Sequence, residues 1–389
     1  MRLVFLTPMV GDDIYVKYQK EQGKFHPGQK FYSLLLAGIN ENRYKKMIIS
    51  VYDKSYECYS DLFKNDEEHL YISREKIKDR KKCSDVAEKI CKVISPQDIL
   101  VADGESYWPM VLALKIRHVL GNQIIEIITD YSHHVLRYGR LYQEDNFFIQ
   151  RLKYIYMFCR LFKVRKANAF ILLTKYMDVY LPKKKPYIVI EGFSQHFSYV
   201  QYKKNESVCI ITYVGTLNLQ SGIRNLVDAF REIPRTDVEL HIYGDGEAKE
   251  YIIGMTKKDQ RIRYYGVIPL EDVYMVEQKS HFLINPRPSK GEYNKFSFPS
   301  KTLEYLSSGT PLISTRLSGI PDDYDDHINW LNDDSIQSMG EHIERILNTD
   351  YKYFLLKAEK ARNYVESEKS PKAQTRKIQE LLQRIEQDW

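Results

Sequence analysis

The sequence predicts an α/β protein built of two doubly wound domains, each with a parallel sheet. Short apolar runs alternate with helical patterns through most of the 389 residues, as expected for repeated strand–helix units. The apolar runs are rich in Ile, Val and Leu and lack regular polar alternation, which indicates strands buried on both faces. A chain of this length also favours two domains over one.

The first half contains six predicted strands separated by helical patterns. The strands are Leu3–Leu6, Met47–Val51, Ile99–Ala102, Ile124–Thr129, Phe170–Leu173 and Tyr187–Ile190. One helical pattern spans Cys83 to Ile94, and another runs from Pro109 to Leu120 and ends at Gly121. The segment from Met9 to Gly28 is predicted as a long ordered loop, and such loops are often functional.

The second half repeats the alternation. Its predicted strands are Cys209–Val214, Glu239–Tyr243, Arg263–Tyr265, Phe282–Ile284 and Leu312–Ser314. Its predicted helices are Ile223–Ile233, Glu247–Thr256, Glu271–Gln278 and Ser300–Ser307. Gly192 to Ser207 has no periodicity, so we place a domain boundary there. The expected domains are 1–196 and 197–372, and a last helix at about 373–389 is expected to pack back on the first domain.

Composition excludes several classes of protein. The chain has 43% hydrophobic and 28% charged residues and a net charge of +6, which is typical of a globular protein. No apolar run approaches the roughly 18 residues of a membrane span, and the N-terminus lacks the features of a signal peptide. The five cysteines are scattered without a C-x-x-C pair. We therefore expect a reduced, cytoplasmic protein without a zinc site or disulfides.

The segment FSFPSKTLEYLSSGTP, Phe296 to Pro311, follows an apolar strand and predicts a loop, a short helix and a stop. Pro299 is expected at the first helical position and Gly309 as a left-handed C-cap. Ser300 and Glu304 are one turn apart and share a face. The start of such a helix suits a phosphate, and a carboxylate accepts hydrogen bonds from sugar hydroxyls. The segment favours a nucleotide-sugar site, and an ordinary capped helix is the alternative.

Four segments in order resemble the donor domain of the retaining family 4 glycosyltransferases, which have the GT-B fold. They are YVGTLNLQSGIRNLVDAF, LHIYGDGEAKEYI, RIRYYGVIPLEDVYMV and FPSK…EYLSSGTPLIS. The first half of the chain matches this family much more loosely. The resemblance implies two Rossmann-like domains facing an interdomain cleft, with the acceptor on the first domain and the donor on the second.

Residues of the donor side follow from this resemblance. Gly215 and Thr216 form the loop after the first donor-domain strand, where a glycine lets the backbone approach a diphosphate. Glu304 would hold the nucleotide ribose. Arg287 and Lys301 are the best candidates for a cation that stabilises the leaving diphosphate, whereas Lys295 and Arg224 are weaker ones. The backbone groups expected at the phosphates and at the base belong to Phe298, Pro299, Ser300 and Lys301, and to Tyr265, Gly266 and Val267.

The chain departs from the family pattern at three positions. Many members have an Arg at the position of Thr216 and a Lys at that of Ser221, and both contact the phosphates. Many also have a first glutamate where this chain has Phe296. A branch of the family with an aromatic-Ser-Phe-Pro-Ser-Lys pattern lacks that glutamate too. The change is therefore expected to alter contacts with the donor sugar, and an inactive relative remains open.

Other charged clusters have simpler explanations. The run from Gly244 to Glu247 suggests a metal site superficially, but a tight turn followed by the first turn of a helix fits it better. We expect no metal there. In the first domain, Asp130 and His133 follow an apolar strand, and many family members have a functional His near this place. His133 or His134 is expected to contact the donor sugar, with Asp130 either orienting that histidine or contacting the acceptor. Plain exposure is the alternative.

The segment 147–166 is basic, aromatic and free of acidic residues. Such a helix can lie on an anionic membrane surface, and it can equally pack in the first domain with its cationic ends in water. We favour peripheral membrane contact, at the inner face, because related enzymes often act on lipid-linked acceptors. No nucleic-acid-binding module accompanies it.

The resemblance implies a retaining, metal-independent transfer of a hexose-type sugar from a nucleotide diphosphate to an acceptor hydroxyl. The expected donor is a UDP- or GDP-sugar, with no other cofactor. The expected acceptor is a lipid-linked or polysaccharide glycan of the cell surface. Two alternatives stay open, a non-catalytic GT-B partner subunit and a nucleotide-sugar epimerase on the same architecture.

Overall fold

The computed structural model describes residues 1–22, 27–129, 149, 151–152, 166–195, 200, 202–205 and 207–387. The chain divides into two units. Unit 1 comprises Met1–Phe193 together with Pro371–Trp389, and unit 2 comprises Ser194–Ser370. Within the described residues, each unit contains one sheet and its own buried side chains.

The sheet of unit 1 has seven parallel strands among the described residues, in the order β3-β2-β1-β4-β5-β6-β7. The strands are β1 (Arg2–Thr7), β2 (Lys45–Tyr52), β3 (His69–Ser73), β4 (Ile99–Asp103), β5 (Ile124–Ile128), β6 (Ala169–Leu172) and β7 (Tyr187–Val189). All side chains of β4, β5 and β6 are buried, which agrees with central strands that are covered on both faces.

Helices flank this sheet, and the last helix of the chain belongs to the same unit. The helices are α1 (Asp12–Gln22), α2 (Pro27–Gly38), α3 (Arg74–Ile77), α4 (Arg80–Cys91), α5 (Tyr107–Leu120) and, at the end of the chain, Pro371–Gln387. Short 3₁₀ helices run over Lys54–Leu62 and Lys175–Tyr180. The terminal helix buries Ile378, Leu381 and Leu382 in one cluster with Leu3 and Leu35.

In the described part of unit 2, the sheet has six parallel strands in the order β10-β9-β8-β11-β12-β13. The strands are β8 (Cys209–Val214), β9 (Val238–Tyr243), β10 (Ile262–Gly266), β11 (Phe282–Asn285), β12 (Leu312–Thr315) and β13 (Asn329–Leu331). The helices are α6 (Ile223–Arg231), α7 (Lys249–Thr256), α8 (Leu270–Lys279), α9 (Lys301–Ser307), α10 (Ile336–Leu347) and α11 (Tyr351–Glu368), so the terminal helix Pro371–Gln387 is α12. Short 3₁₀ helices run over Leu219–Ser221, Glu292–Phe296 and Asp322–Tyr324.

The two faces of the unit 2 sheet carry separate cores. One cluster joins Ile211, Leu240 and Ile284 to Leu226 of α6 and Ile343 of α10. The other joins side chains of the strand ends to α8, α9 and α11; its members include Val214, Tyr243, Leu283, Val273, Leu303, Tyr305 and Val365. The site described below lies on the second face, at the carboxyl ends of the strands.

The predicted fold class is confirmed, because both sheets are parallel and each is flanked by helices. The expected cleft between the two domains and the assignment of acceptor and donor to them stay predictions. The predicted long loop from Met9 to Gly28 was wrong, since α1 and the start of α2 occupy most of it. Residues 23–26 of that segment lie outside the described residues.

Within the described part of the chain, no helix is long and apolar enough to cross a membrane. Apart from Ile149, Arg151, Leu152 and Lys166, the segment 147–166 lies outside that part, so its contact with a membrane surface stays a prediction.

Candidate functional site

The strand order of unit 2 reverses between β8 and β11. The chain runs from β8 to β9 and β10 on one side, and from β11 to β12 and β13 on the other. Ligands of open α/β sheets bind at such a switch point, beyond the carboxyl ends of the strands. The loop that begins at Gly215 follows β8, and the segment Pro286–Ser289 follows β11.

The Gly215 loop is held by its neighbours in the sheet. The Gly215 N–H donates to the carbonyl of Tyr243 over 3.0 Å, and the Tyr213 hydroxyl donates to the carbonyl of Thr216 over 2.9 Å. A Cβ at Gly215 would lie 3.1 Å from Cε of Lys301. The structure thus brings the loop and the first residue of α9 together.

A tyrosine hydroxyl joins α9 to the end of β8. The Tyr305 hydroxyl donates to the carbonyl of Val214 over 2.9 Å and accepts the Val214 N–H over 3.0 Å. The Tyr305 side chain is 1% exposed, and burial raises its pKa well above the usual value for a tyrosine. The hydroxyl therefore stays protonated and can serve both backbone groups. Sequence reasoning missed Tyr305, whose only signal is its place beside Glu304 in the motif.

Two half-buried cations lie at this end of the sheet. The guanidinium of Arg287 stands 5.0 Å from the centre of the Tyr293 ring, and the ammonium of Lys301 stands 5.8 Å from that of Tyr305. Neither cation forms an ion pair within the described ranges. The Arg287 carbonyl accepts the Thr315 hydroxyl, which links the backbone after β11 to the last residue of β12. Both cations are therefore available to an anionic ligand.

The start of α9 differs slightly from the prediction. The helix begins at Lys301 with Ser300 as its N-cap, so Pro299 is not the first helical residue as expected. The Thr302 N–H already donates to the Pro299 carbonyl over 2.8 Å, which closes the first turn. In the described part of the chain, the N–H groups of Ser300 and Lys301 have no acceptor. Gly309 has a φ of 73°, so its predicted left-handed conformation is confirmed.

Glu304 lies on α9 one turn after Ser300 and is half-buried. Burial raises the pKa of the Tyr274 hydroxyl, and the nearby charges of Glu304 and Glu277 raise it further. The Tyr274 hydroxyl donates to the side-chain carbonyl of Gln195 over 2.8 Å. The Glu304 carboxylate is thus half-buried and close enough to Tyr274 to affect its pKa, and a ribose hydroxyl that reached it would donate to a charged acceptor.

At the expected base-binding end, the Tyr265 ring stacks on that of Tyr243 with centres 4.7 Å apart and planes 11° apart. Gly266 has a φ of 71°, and its carbonyl accepts the Gly244 N–H over 2.7 Å. Tyr265 is 48% exposed and Val267 is 72% exposed. The exposed end of β10 thus leaves apolar surface open beside the Gly244 loop, and the contact of these residues with a base stays a prediction.

The departures from the family pattern have clear structural settings. Thr216 is exposed, and Ser221 caps its own turn, since its hydroxyl donates to the Asn218 carbonyl over 2.6 Å. The Phe296 side chain is 8% exposed and packs inside unit 2. None of the three supplies a charge to the site. Arg287 and Lys301, which come from the other side of the switch point, therefore stay the candidate cations.

The acidic turn after β9 has a structural role. Glu247 lies two residues before α7 and not in its first turn as expected, and its carboxylate accepts the Leu219 N–H over 2.8 Å. Among the described residues, no group of three or more His, Cys, Asp or Glu side chains is arranged to hold a metal ion.

Asn285, the last residue of β11, was also missed by sequence reasoning. Its amide nitrogen is buried and has no acceptor among the described residues. The signal is a polar residue that ends the apolar run before Pro286. A ligand oxygen at the switch point would satisfy this donor.

The candidate site residues of unit 1, Asp130 and His133, lie outside the described residues. The described neighbourhood contains Asp103 at the end of β4, which is 1% exposed. It accepts the Ser106 N–H over 2.6 Å and the hydroxyl of Tyr32. Burial raises the pKa of the Asp103 carboxyl. This group ties α2 and the start of α5 to the sheet, and the sequence prediction did not single it out.

Residues 209–349, which contain this site, match the family model described as glycosyl transferases group 1. The match runs from the start of β8 to just past α10 and shows similarity to that family over this part of the chain. No protein with a curated description matches the chain in sequence.

Solved structures share the fold over most of the chain. Sucrose-phosphate synthase from Thermosynechococcus elongatus has a TM-score of 0.66 at 15% identity, covering 100% of both chains. HepE from Anabaena, crystallised with UDP, has a TM-score of 0.64 at 11% identity, covering 98% of this chain and 100% of that one. TarM has a TM-score of 0.57 at 15% identity, and the match covers 77% of this chain but only 57% of TarM. The GT-B fold is thereby confirmed.

Proposed function

We propose that the protein is a glycosyltransferase that moves a sugar from a nucleotide diphosphate to an acceptor hydroxyl. The observation that carries the proposal is the contact between the Gly215 loop and Lys301 at the switch point of unit 2, where two cations lack carboxylate partners among the described residues. A close backbone approach and free positive charge are what a diphosphate requires. The UDP bound to HepE supports the same ligand class.

In the proposed reaction, the bond between the anomeric carbon and the diphosphate oxygen breaks, and a bond to the acceptor oxygen forms on the same face. The acceptor's proton passes to the departing phosphate oxygen, so no protein nucleophile and no metal ion are needed. Lys301 and Arg287 offset the negative charge that develops on the diphosphate. Glu304 holds the ribose, and the N–H groups of Phe298, Ser300 and Lys301 bind the phosphates; Pro299 has no N–H to offer.

The donor sugar is proposed to be a hexose on UDP or GDP, and the acceptor a lipid-linked or polysaccharide glycan of the cell surface. His133 and Asp130 remain the proposed contacts of unit 1, with His133 at the donor sugar and Asp130 at the acceptor. Contact of segment 147–166 with an anionic membrane would bring the enzyme to a lipid-linked acceptor.

The first test is a thermal shift assay with UDP-, GDP-, dTDP- and ADP-sugars, because a ligand of the native state raises its apparent stability. Lys301→Ala should weaken binding of the stabilising donor by roughly 10- to 100-fold, the effect of losing one charge-assisted hydrogen bond. Glu304→Ala should also weaken it. Lys258→Ala removes an exposed lysine of the same unit and should bind like the wild type.

The proposal would be contradicted if none of the donors raised the melting temperature. It would also be contradicted if the Lys301→Ala and Lys258→Ala variants bound the donor with equal affinity. The absence of a cation at Thr216 and Ser221, together with the buried Phe296, favours one other candidate, a non-catalytic partner subunit. Such a subunit would bind donor but release no sugar until a second protein is added. Epimerisation of the donor without acceptor would instead indicate the epimerase.

A further inference from the structure

The strands β8 and β11 stop pairing before β8 ends. Their paired residues are Ile211 with Phe282 and Thr212 with Leu283. Ile210 faces β11, because the His281 N–H donates to the Ile210 carbonyl over 2.9 Å. Val214 is four residues further along, and the two-residue period of a strand turns its N–H and C=O to the same side. These two groups therefore face β11 at the point where pairing has ended.

The Tyr305 hydroxyl takes the place of the missing strand partner. It accepts the Val214 N–H over 3.0 Å and donates to the Val214 carbonyl over 2.9 Å. Buried backbone groups need such partners, and Tyr305 is only 1% exposed, so water has little access to replace its hydroxyl. One side chain thus both satisfies the end of β8 and keeps it from β11.

The same hydroxyl fixes a distance within the candidate site. Gly215 directly follows Val214, while Lys301 lies one helical turn before Tyr305 and stands over its ring. The position of a Cβ on Gly215 is 3.1 Å from Cε of Lys301. Gly215 is the neighbour of Val214, which binds the Tyr305 hydroxyl, and Lys301 lies on the same helix as Tyr305. A displacement of the hydroxyl from Val214 would therefore move the Gly215 loop relative to Lys301.

We propose that Tyr305 is a positioning residue that holds β8 and β11 apart and sets the Gly215 loop at the distance from Lys301 that a nucleoside diphosphate requires. The inference rests on the proposed function, since it concerns the same ligand. Tyr305 does not touch the ligand; it acts through Val214 and α9. Without the hydroxyl, the Val214 N–H and C=O would form hydrogen bonds with β11 or with water, and the distance between the ends of the two strands would change.

The test compares two variants that each lose one tyrosine hydroxyl from unit 2. Tyr305→Phe removes the contact described above. Tyr351→Phe is the matched control, because its hydroxyl donates over 3.0 Å to the carbonyl of His281, at the opposite end of β11. Both variants should melt roughly 2–8 °C below the wild type, as expected for a lost buried hydrogen bond in a domain of this size.

The probes are UDP and GDP, followed by UMP or GMP, measured by isothermal titration calorimetry on the full chain. Tyr305→Phe should weaken binding of the diphosphate by about tenfold or more. It should change binding of the monophosphate much less, because the monophosphate lacks the second phosphate that the Gly215 loop and Lys301 would hold. Tyr351→Phe should bind both probes like the wild type.

If the two variants bound the diphosphate with equal affinity, the inference would be overturned and the proposed function would stand. The same conclusion would follow if Tyr305→Phe lost as much affinity for the monophosphate as for the diphosphate. A wild type that binds neither UDP nor GDP would overturn the proposed donors and this inference with them, whereas the proposed function fails only if no donor of the four raises the melting temperature. If Tyr305→Phe does not fold, amide hydrogen exchange of the wild type decides. Slow exchange at Val214 without ligand supports the contact, and exchange as fast as at exposed Thr216 overturns it.

Discussion

At the scale of single residues, glycines decide how closely the loops of the site approach each other. Gly244 has a φ of 130°, and a Cβ there would lie 1.8 Å from the carbonyl oxygen of Gly215. A Cβ at Gly246 would lie 2.7 Å from the carbonyl oxygen of Leu217. The turn after β9 therefore presses directly on the loop after β8. A side chain at Gly244 or Gly246 would displace the Gly215 loop, which is proposed to bind the phosphates.

Two glycine substitutions test this close approach. Gly244→Ala should lower the free energy of unfolding by at least about 1–3 kcal/mol, because it adds backbone strain and a backbone clash. Gly254→Ala is the control, since Gly254 lies in α7 and a Cβ there meets nothing within 4 Å. It should raise the free energy of unfolding by roughly 0.5–1 kcal/mol. Urea titration measures both, and a Gly244→Ala protein as stable as Gly254→Ala would refute the close approach.

At the scale of elements, the central strands could be predicted because they are buried on both faces and read as unbroken Ile, Val and Leu runs. The edge strands β3 and β13 were missed for a physical reason. Most residues of β3 are only half-buried, and β13 has three residues, so neither shows a distinct apolar run.

Local features of the candidate site could be predicted from the sequence, whereas its long-range contacts could not. Local rules for capping found the stop at Gly309 and placed Lys301 at a helix start. The contact of Tyr305 with Val214 joins positions 91 residues apart, and no local pattern reveals it. Asp103 and its partner Tyr32 are likewise 71 residues apart. Contacts of this kind depend on how the strands are ordered, which the sequence alone did not specify.

His281, just before β11, is expected to make the stability of the protein depend on pH. His281 is 9% exposed, and its Nδ1 accepts the Ile210 N–H over 3.0 Å. Burial, and then the positive charge of Lys204, lowers the pKa of His281 to about 4. The unfolded chain binds this proton near pH 6.5, so between pH 6.5 and 4 it holds more protons than the folded one. Stability should therefore fall as the pH drops through this range, by on the order of 3 kcal/mol from this group.

The measurement is the free energy of unfolding at several pH values from 4.5 to 7.5. His281→Asn is the matched variant, because an amide oxygen can accept the Ile210 N–H but does not titrate. It should be less dependent on pH than the wild type over this range. Since other buried histidines act in the same direction, only the difference between the two proteins is diagnostic. Identical pH profiles would show that His281 is not held in its neutral form.

At the scale of the whole molecule, the chain order and the structural units do not coincide. The last helix, α12, belongs to unit 1 with the first 193 residues, while Ser194–Ser370 forms unit 2. Its attachment is specific. The Thr375 hydroxyl donates to the carbonyl of Gly38 over 2.6 Å, and Gln374 donates to the buried carboxylate of Glu191 over 3.0 Å. A change near the C-terminus should therefore affect the unit that contains the N-terminus.

A reciprocal pair of core substitutions tests this arrangement by scanning calorimetry. Leu381 of α12 and Ile343 of α10 are both fully buried, in the cores of unit 1 and unit 2 respectively. Each substitution by Ala should cost its own unit about 2–5 kcal/mol. A nucleoside diphosphate that binds unit 2 should raise the melting of that unit by mass action. Leu381→Ala should then lower the melting temperature of the transition that the ligand does not shift. Ile343→Ala should lower the melting temperature of the transition that the ligand raises. If Leu381→Ala lowered the ligand-sensitive transition instead, α12 would stabilise unit 2, and the assignment of the terminal helix to unit 1 would be wrong.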